Sequence, residues 1–217
     1  AEEGLAEHRH RRHRLDEAEA LLADGLDAIR TADARARRWN SLAVLYGAQG
    51  RLSEAEACAG RSVEAARVRH GEGSEPVRIA RDNHASLLAR LGRHEEALAI
   101  HADTLPAWRR ALRDRPAGLV QPLNLQANCL AFMGRWAEAE PLYREAVDLS
   151  RAALEDGAPL GAASISGLGV CLARLGRLDE AESLLQEAEA IWTALGDAYD
   201  DRRAGVRREL ERIAPAR

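Results

Sequence analysis

The chain has 217 residues and a formal net charge of −4, and all of its 31 basic residues are arginine. This charge balance argues against direct binding of nucleic acid. The sequence also has no run of about eighteen apolar residues, which a membrane span would require. No apolar signal-peptide core follows the N-terminus, so we expect a cytoplasmic protein. Alanine, leucine, arginine and glutamate are abundant, which favours helix over strand.

The first elements in chain order are incomplete. Residues 1–13, with His8, His10 and His13 among arginines, are predicted to form a frayed or truncated N-terminal segment. Residues 14–33 resemble only the second helix of a helical hairpin and are predicted to be a partial repeat. No first helix is recognisable before them, which indicates that the chain begins within a repeat.

A Gly-Arg dipeptide then recurs every 42 residues, beginning at Gly50, Gly92, Gly134 and Gly176. An alanine follows each glycine by five residues, a small residue precedes it by seven, and a large one by four. Apolar residues at helical spacing on both sides predict a helix, a turn at the glycine and a second helix. Glycine permits left-handed backbone where the first helix ends, and the small residues let the two helices approach closely.

The period of 42 residues predicts four full repeats and one further helix. The repeats cover about 34–75, 76–117, 118–159 and 160–199, and a polar capping helix follows at 200–213. Residues 14–213 are therefore predicted to form a single domain. Its fold class is all-α, a right-handed α-solenoid of stacked antiparallel helix hairpins.

The residues around each glycine resemble the tetratricopeptide repeat (TPR). The shared features are the small residue, the large apolar residue, the glycine and a Glu-Ala pair, as in Glu138-Ala139. The period exceeds the usual length of about 34 residues and is similar to the kinesin-light-chain variant, most clearly in the stretches from Asn40 and from Gly134. The resemblance covers roughly residues 14–213, and it implies a protein-binding scaffold whose concave surface is lined by the first helix of each repeat.

Within each first helix, the residues that avoid the hairpin core predict a polar concave groove. This predicted groove consists of Arg37, Asn40, Asp82, Asn83, Ser86, Arg90, Gln121, Asn124, Asn128, Phe132, Ser166 and Arg174. An asparagine amide can both donate to and accept from a peptide backbone, and arginine binds carboxylate or phosphate in a bidentate manner. The resemblance implies that Asn40, Asn124 and Asn128 clasp a ligand backbone. The convex face and the C-terminal helix are alternative surfaces, and a homodimer could use either.

Three cysteines and three histidines are the remaining candidates for chemistry. Cys58, Cys129 and Cys171 stand where other repeats carry core aliphatic residues, so we predict buried structural thiols. His84, His94 and His101 gather in one repeat. A metal site or a pH-sensitive joint is one hypothesis for them, and ordinary helix packing is the other, which we favour.

No cofactor, metal or catalytic residue is predicted. A chain without lysine has neither the lysine of a phosphate-binding loop nor a Schiff-base lysine. We therefore predict a scaffold or sensor module that binds a protein or an extended peptide, within a larger bacterial signalling or regulatory protein. The lysine-free, arginine- and alanine-rich composition is typical of a GC-rich bacterial gene. A receptor for a small-molecule or peptide signal is the alternative, and an enzyme subunit is less favoured.

Overall fold

A computed structural model describes residues 31–153 and 159–214. The described residues form nine α-helices and two short 3-10 helices, without a strand among them. The α-helices are α1 (Ala32–Ala48), α2 (Leu52–His70), α3 (Glu75–Arg90), α4 (His94–Ala111), α5 (Val120–Phe132), α6 (Trp136–Ala152), α7 (Pro159–Arg174), α8 (Leu178–Ala194) and α9 (Asp200–Ile213). The predicted all-α fold class with repeated helix hairpins is confirmed. The predicted segment 1–13, most of the partial repeat 14–33, and His8, His10 and His13 lie outside the described residues.

Each Gly-Arg dipeptide forms the turn between two helices, as the sequence predicts. The four glycines have φ values of 73° to 80°, in the left-handed region that glycine tolerates best. The arginine N–H that follows donates to the carbonyl of the large residue four places before the glycine, for example from Arg177 to Leu172 at 3.0 Å. This bond satisfies a carbonyl that the end of the first helix would otherwise leave unpaired.

The arginine of each turn also holds the glutamate three residues later. Arg135 donates from Nε and Nη2 to the two carboxylate oxygens of Glu138, both at 2.6 Å, and the other three turns carry the same bidentate pair. The hydrogen bonds from Arg135 lower the pKa of the Glu138 carboxyl. The recurring glutamate thus accepts two charge-assisted hydrogen bonds at the start of the second helix, where its charge also suits the helix dipole.

Two glycines give opposite predictions for an alanine substitution. Gly60 lies inside α2, and a methyl group there meets no atom within 4 Å, so Gly60→Ala should raise the free energy of unfolding by about 0.5–1 kcal/mol. Gly176 has φ +80°, a backbone conformation that strains an alanine. Gly176→Ala should therefore lower the free energy of unfolding by about 1–2 kcal/mol. Urea unfolding of both variants measures the two shifts. Shifts of the same sign would contradict this assignment of turn and helix interior.

The described residues divide into two compact units, with the division between Ile100 and His101 inside α4. In the first unit, α1 packs against α2, and α2 packs against α3. Leu42, Leu45, Cys58 and Leu87 form its main core cluster. A second cluster joins Ala66, Val77 and Ala80, small side chains that keep the helices close.

In the second unit, each helix from α5 to α9 packs against the next one in the chain. The core contains large side chains that are no more than 4% exposed, among them Leu123, Leu172, Leu185 and Trp192. The last helix, α9, coincides with the predicted polar helix at 200–213 and buries only Val206 and Ile213. The rest of α9 is therefore available to form a surface.

Candidate binding grooves

A groove of about 640 Å³ lies in the first unit, between α1 and α3. Its lining residues, which define the first groove, are Ala36, Arg37, Asn40, Ser41, Ser62, Ala66, His70, Glu75, Pro76, Ile79, Ala80 and Asn83. Asn83 Nδ2 donates to Asn40 Oδ1 at 2.9 Å and so joins the two walls. On the floor, Ser62 Oγ donates to the carbonyl of Ala36 at 2.9 Å. The groove therefore has an apolar floor of small residues and a polar rim.

A second groove, of about 500 Å³, lies in the second unit and is bordered by α5, α7 and α9. It is lined by Asn128, Ala131, Phe132, Trp136, Tyr143, Ala163, Ser166, Gly167, Val170, Trp192, Asp201, Arg202, Gly205, Val206, Arg208 and Glu209. Two aromatic groups of its floor bond to polar groups of its walls. Tyr143 donates its hydroxyl proton to Asn128 Oδ1 at 2.6 Å, and Trp192 Nε1 donates to Ser166 Oγ at 3.0 Å.

The two grooves occupy equivalent positions in the repeat. Residues of the first groove correspond to residues of the second at a spacing of 126, which is three periods. Asn40 corresponds to Ser166, Ala66 to Trp192, and Glu75 to Asp201. The same backbone arrangement therefore presents two different sets of side chains.

Six of the twelve residues predicted to form a concave groove line one of these two surfaces. Arg37, Asn40 and Asn83 line the first groove, and Asn128, Phe132 and Ser166 line the second. Phe132 is 74% exposed, which is high for an aromatic side chain. These six side chains therefore lie where a ligand in either groove would contact them.

The other six predicted residues lie outside both grooves. Asp82 and Asn124 are only 6% and 7% exposed, so the expectation of accessible side chains is not met there. Asn124 instead donates to Ser164 Oγ at 2.7 Å, because its position faces the neighbouring α7. Three more of the predicted residues donate hydrogen bonds within the protein: Ser86 to the carbonyl of Asp82 at 2.8 Å, Arg90 to the carbonyl of Gly47 at 2.7 Å, and Arg174 to Glu209 at 3.3 Å. The sixth, Gln121, is exposed.

Sequence reasoning missed the aromatic floor of the second groove. Trp136, Tyr143 and Trp192 belong to second helices of hairpins, and the prediction considered only first helices. From the sequence, α9 was expected to be a cap and a separate alternative surface, and it was not predicted to form a wall of the groove that contains Asn128 and Ser166. The spacing of 126 residues is the signal that could have indicated the aromatic floor, since it makes Trp192 the equivalent of Ala66 three repeats earlier.

The family model of the tetratricopeptide repeat matches residues 35–110 and 118–194, which is more than half of the chain. The chain belongs to the tetratricopeptide repeat family. TPR domains generally bind proteins or peptides, and the fold is typically a non-catalytic scaffold. Family membership therefore supports the predicted class of protein-interaction scaffold.

Solved TPR-like structures resemble this one in fold. BtubC (BKLC) from P. vanneervenii is 21% identical, with a TM-score of 0.74 over 88% of this chain and 78% of its own. A putative kinesin light chain with nearly identical TPR-like repeats from Podosopora anserina is 20% identical, with a TM-score of 0.67 over 88% and 93%. The apo form of RapI is 12% identical, with a TM-score of 0.73 over 86% and 67%.

The predicted tetratricopeptide repeat is confirmed by the family model, and the fold is similar to that of solved kinesin-light-chain TPR-like repeats. A comparison with curated proteins found no significant match.

The three candidate histidines differ in their burial. His101 is 2% exposed, and burial lowers the pKa of His84, whose Nε2 lies 3.9 Å from Glu56 Oε1. His94 begins α4. Within residues 31–153 and 159–214, no group of three or more histidine, cysteine, aspartate or glutamate side chains is arranged to hold a metal ion. The described helices also include none that is long and apolar enough to cross a membrane.

The cysteines of the TPR helices are buried, as predicted: Cys58, Cys129 and Cys171 are 6%, 2% and 0% exposed. Burial raises the pKa of the Cys129 and Cys171 thiols to about 11 from 9.0. The folded protein therefore holds these two thiol protons more tightly than the unfolded chain does. The stability that this provides is fully present below pH 9 and is lost as the pH rises toward 11.

We expect Cys129 and Cys171 to resist iodoacetamide at pH 8 in the folded protein and to react fully in urea. A thiol with a pKa of about 11 in place of 9.0 is present as thiolate roughly a hundredfold less often at pH 8. Burial also keeps the reagent away from both sulfur atoms. Mass spectrometry of peptides after timed alkylation measures both rates. Equal rates in the folded and unfolded protein would contradict the buried assignment.

Proposed function

We propose that this chain is a scaffold or sensor module that binds a protein or an extended peptide in the second groove. The observation that carries the proposal is the pairing of an exposed aromatic side chain with a fixed amide. Phe132 is 74% exposed, and Asn128, one turn earlier in α5, has its carboxamide oxygen held by Tyr143 at 2.6 Å. Aromatic side chains and oriented polar groups are the usual anchors of a recognition surface.

The hydrogen bond from Tyr143 determines what Asn128 offers to a ligand. Because the tyrosine hydroxyl donates to Oδ1 and so orients the carboxamide, the Nδ2 hydrogens are presented as donors. A backbone carbonyl of an extended segment is the matching acceptor. Phe132 and Val170 stand on neighbouring helices along the same groove and would bury an apolar side chain of that segment. An extended peptide thus fits both the polar and the apolar parts of the surface.

The proposed setting is a bacterial signalling or regulatory protein in the cytoplasm, with a protein or peptide as partner. The arginine- and alanine-rich composition without lysine supports the bacterial origin, and the net charge of −4 gives no basis for nucleic-acid binding. A homodimer through α9 or the convex face is a second arrangement. We assign no catalytic role to the chain.

The test is affinity capture of partners from a bacterial lysate, comparing the parent chain with an Asn128→Ala/Phe132→Ala variant. We expect a partner to be retained by the parent and lost by the variant. Val68→Ala is the matched control, because Val68 is 73% exposed and lies outside both grooves. Equal retention by parent and variant would refute the second groove as the binding surface, and loss in the control would show a general effect of surface truncation.

The alternative function, a receptor for a small-molecule signal, is supported by the first groove. Its volume of about 640 Å³ lies within the range of about 300–1,000 Å³ typical of small-molecule sites. Its lining combines a small-residue floor with the Asn40–Asn83 amide pair and two opposite charges. A saturable rise in melting temperature with a small molecule would be its signature.

A further inference from the structure

The wall that α9 contributes to the second groove has a glycine between two arginines. Gly205 lies inside α9, with Arg202 three residues before it and Arg208 three residues after it, and all three line the groove. Residues three apart are neighbours on a helix surface, so these three form one row on the face of α9 that borders the groove. The guanidinium group of Arg208 lies close to the glycine, since its Nη2 is 3.8 Å from the position that a Cβ atom of Gly205 would take.

Packing does not explain why residue 205 is a glycine. At Gly167, in contrast, an added methyl group would lie 2.5 Å from the ring of Tyr143. At Gly205 the same methyl group would make only an ordinary van der Waals contact with Arg208, in a backbone that is helical. Glycine is less favourable than alanine inside a helix. The glycine therefore weakens α9 without a gain in packing, and it leaves bare backbone between the two arginines.

The charges of Arg202 and Arg208 are not neutralised by the described part of the chain. Both side chains are exposed, and neither forms an ion pair or a side-chain hydrogen bond with another described residue. The other arginines of α9 are each paired with a carboxylate: Arg203 with Asp200, Arg207 with Glu189, and Arg212 with Glu209. The two unpaired guanidinium groups of α9 are thus the two that line the groove.

The carboxylates of the same wall do not cancel this positive charge. Glu209 accepts hydrogen bonds from Arg174 at 3.3 Å and from Arg212 at 2.7 Å, so its charge is already balanced. Asp201 is exposed and offsets one charge. With the two unpaired arginines, this part of the groove has four arginines against two carboxylates, a formal net charge of +2. It is therefore complementary to an anion that carries more than one charge.

We propose that Arg202, Gly205 and Arg208 form a phosphate site, and that the peptide bound by the second groove carries a phosphorylated side chain. The proposal rests on the proposed function of this groove and specifies its ligand. A phosphate monoester has about −1.5 to −2 charges at pH 7 and three acceptor oxygens, which suit two guanidinium groups that each donate in a bidentate manner. The missing side chain at Gly205 lets the phosphate approach the helix between them.

The helix arrangement also predicts the spacing between the phosphate and the apolar side chain that Phe132 contacts. Helix α5 packs against α7, and α7 packs against α9. Packed helices lie about 8–10 Å apart, so the path from α5 to α9 is roughly 16–20 Å, and longer if it is oblique. An extended chain advances about 3.3 Å per residue. The phosphorylated residue should therefore lie about five to seven positions from the apolar one.

The test retains peptides on the whole chain from three degenerate libraries, in which phosphoserine, serine or glutamate is fixed at the central position. We expect the phosphoserine library to be retained at least about tenfold better than the other two, with apolar residues enriched about five to seven positions from the centre. Equal retention of the serine library overturns the phosphate site and leaves peptide binding in the groove intact. Equal retention of the glutamate library overturns it in favour of any acidic side chain. Retention of no library overturns both proposals.

Variants then locate the site, with a retained phosphoserine peptide as the probe. Arg202→Gln/Arg208→Gln should weaken its binding at least about tenfold. The control Arg113→Gln/Arg115→Gln removes the same charge from exposed positions outside both grooves and should not. Gly205→Ala should weaken binding while raising the melting temperature, because the methyl group occupies the space between the arginines and alanine favours helix. Unchanged affinity in the Arg202/Arg208 variant or in Gly205→Ala overturns the proposal, as does an equal loss in the control.

Discussion

Replacing Tyr143 by alanine is expected to lower the free energy of unfolding by about 3–5 kcal/mol, the range for removing a buried aromatic ring. Tyr143 is 3% exposed, and its ring lies against α7 at Gly167. Its loss would leave a cavity and also free the carboxamide oxygen of Asn128. Urea unfolding followed by circular dichroism measures the change.

Tyr143→Phe is the matched control for this prediction. It keeps the ring and removes only the hydroxyl group, so the expected cost is about 0.5–1.5 kcal/mol, that of one hydrogen bond. In the phenylalanine variant the Asn128 amide loses the partner that fixes it, and we expect weaker capture of a second-groove ligand from a well-folded protein. A loss of less than about 1 kcal/mol in Tyr143→Ala would show that the ring is not part of the core.

Replacing Gly167 by alanine is the second substitution with a large expected effect. A methyl group there would lie 2.5 Å from Cε1 of Tyr143, 2.9 Å from Cζ and 3.0 Å from Cδ1. These distances require the ring or α7 to move, and we expect a destabilisation of about 1–3 kcal/mol, as for other overpacked sites. Thermal and urea unfolding of the variant test this expectation.

A double-mutant cycle shows whether the cost of Gly167→Ala arises from Tyr143. The three nearest heavy atoms to the added methyl all belong to the Tyr143 ring, so in a Tyr143→Ala background the same methyl should be tolerated or stabilising. Alanine favours helix over glycine by about 1 kcal/mol, and this preference would then be visible. An equal cost of Gly167→Ala in both backgrounds would contradict a direct contact and would indicate a change elsewhere in α7.

Most of the local structure could be predicted from the sequence, because it depends on neighbours in the chain. The glycines at 50, 92, 134 and 176 adopt the predicted left-handed φ, since a helix end and a tight turn are local features. The small residues before them and the alanines after them are buried where helices meet. Ala55, Ala97, Ala139 and Ala181 are each 0% exposed. The positions of Cys58, Cys129 and Cys171 in the core followed from the same register.

The accessibility of individual groove residues could not be predicted in this way. Asn124 and Asn128 lie one turn apart on the same helix, yet Asn124 is buried against Ser164 and Asn128 is exposed. A rotation of α5 by a fraction of a turn would exchange their environments, and helical periodicity does not determine such a rotation. The contact that decides it comes from α7, about forty residues further along the chain.

The sequence by itself determined the repeat, the helix-turn-helix unit, the turn glycines and the family of this protein, because a period of 42 residues and local helix signals are contained in the order of residues. Only the tertiary structure decided which side chains share a groove. Trp192, Tyr143 and the residues of α9 come from different hairpins and meet Asn128 and Ser166 through packing between helices. Equivalent backbone positions receive different side chains, Trp192 in one groove and Ala66 in the other, and each is buried by the packing of its own helices.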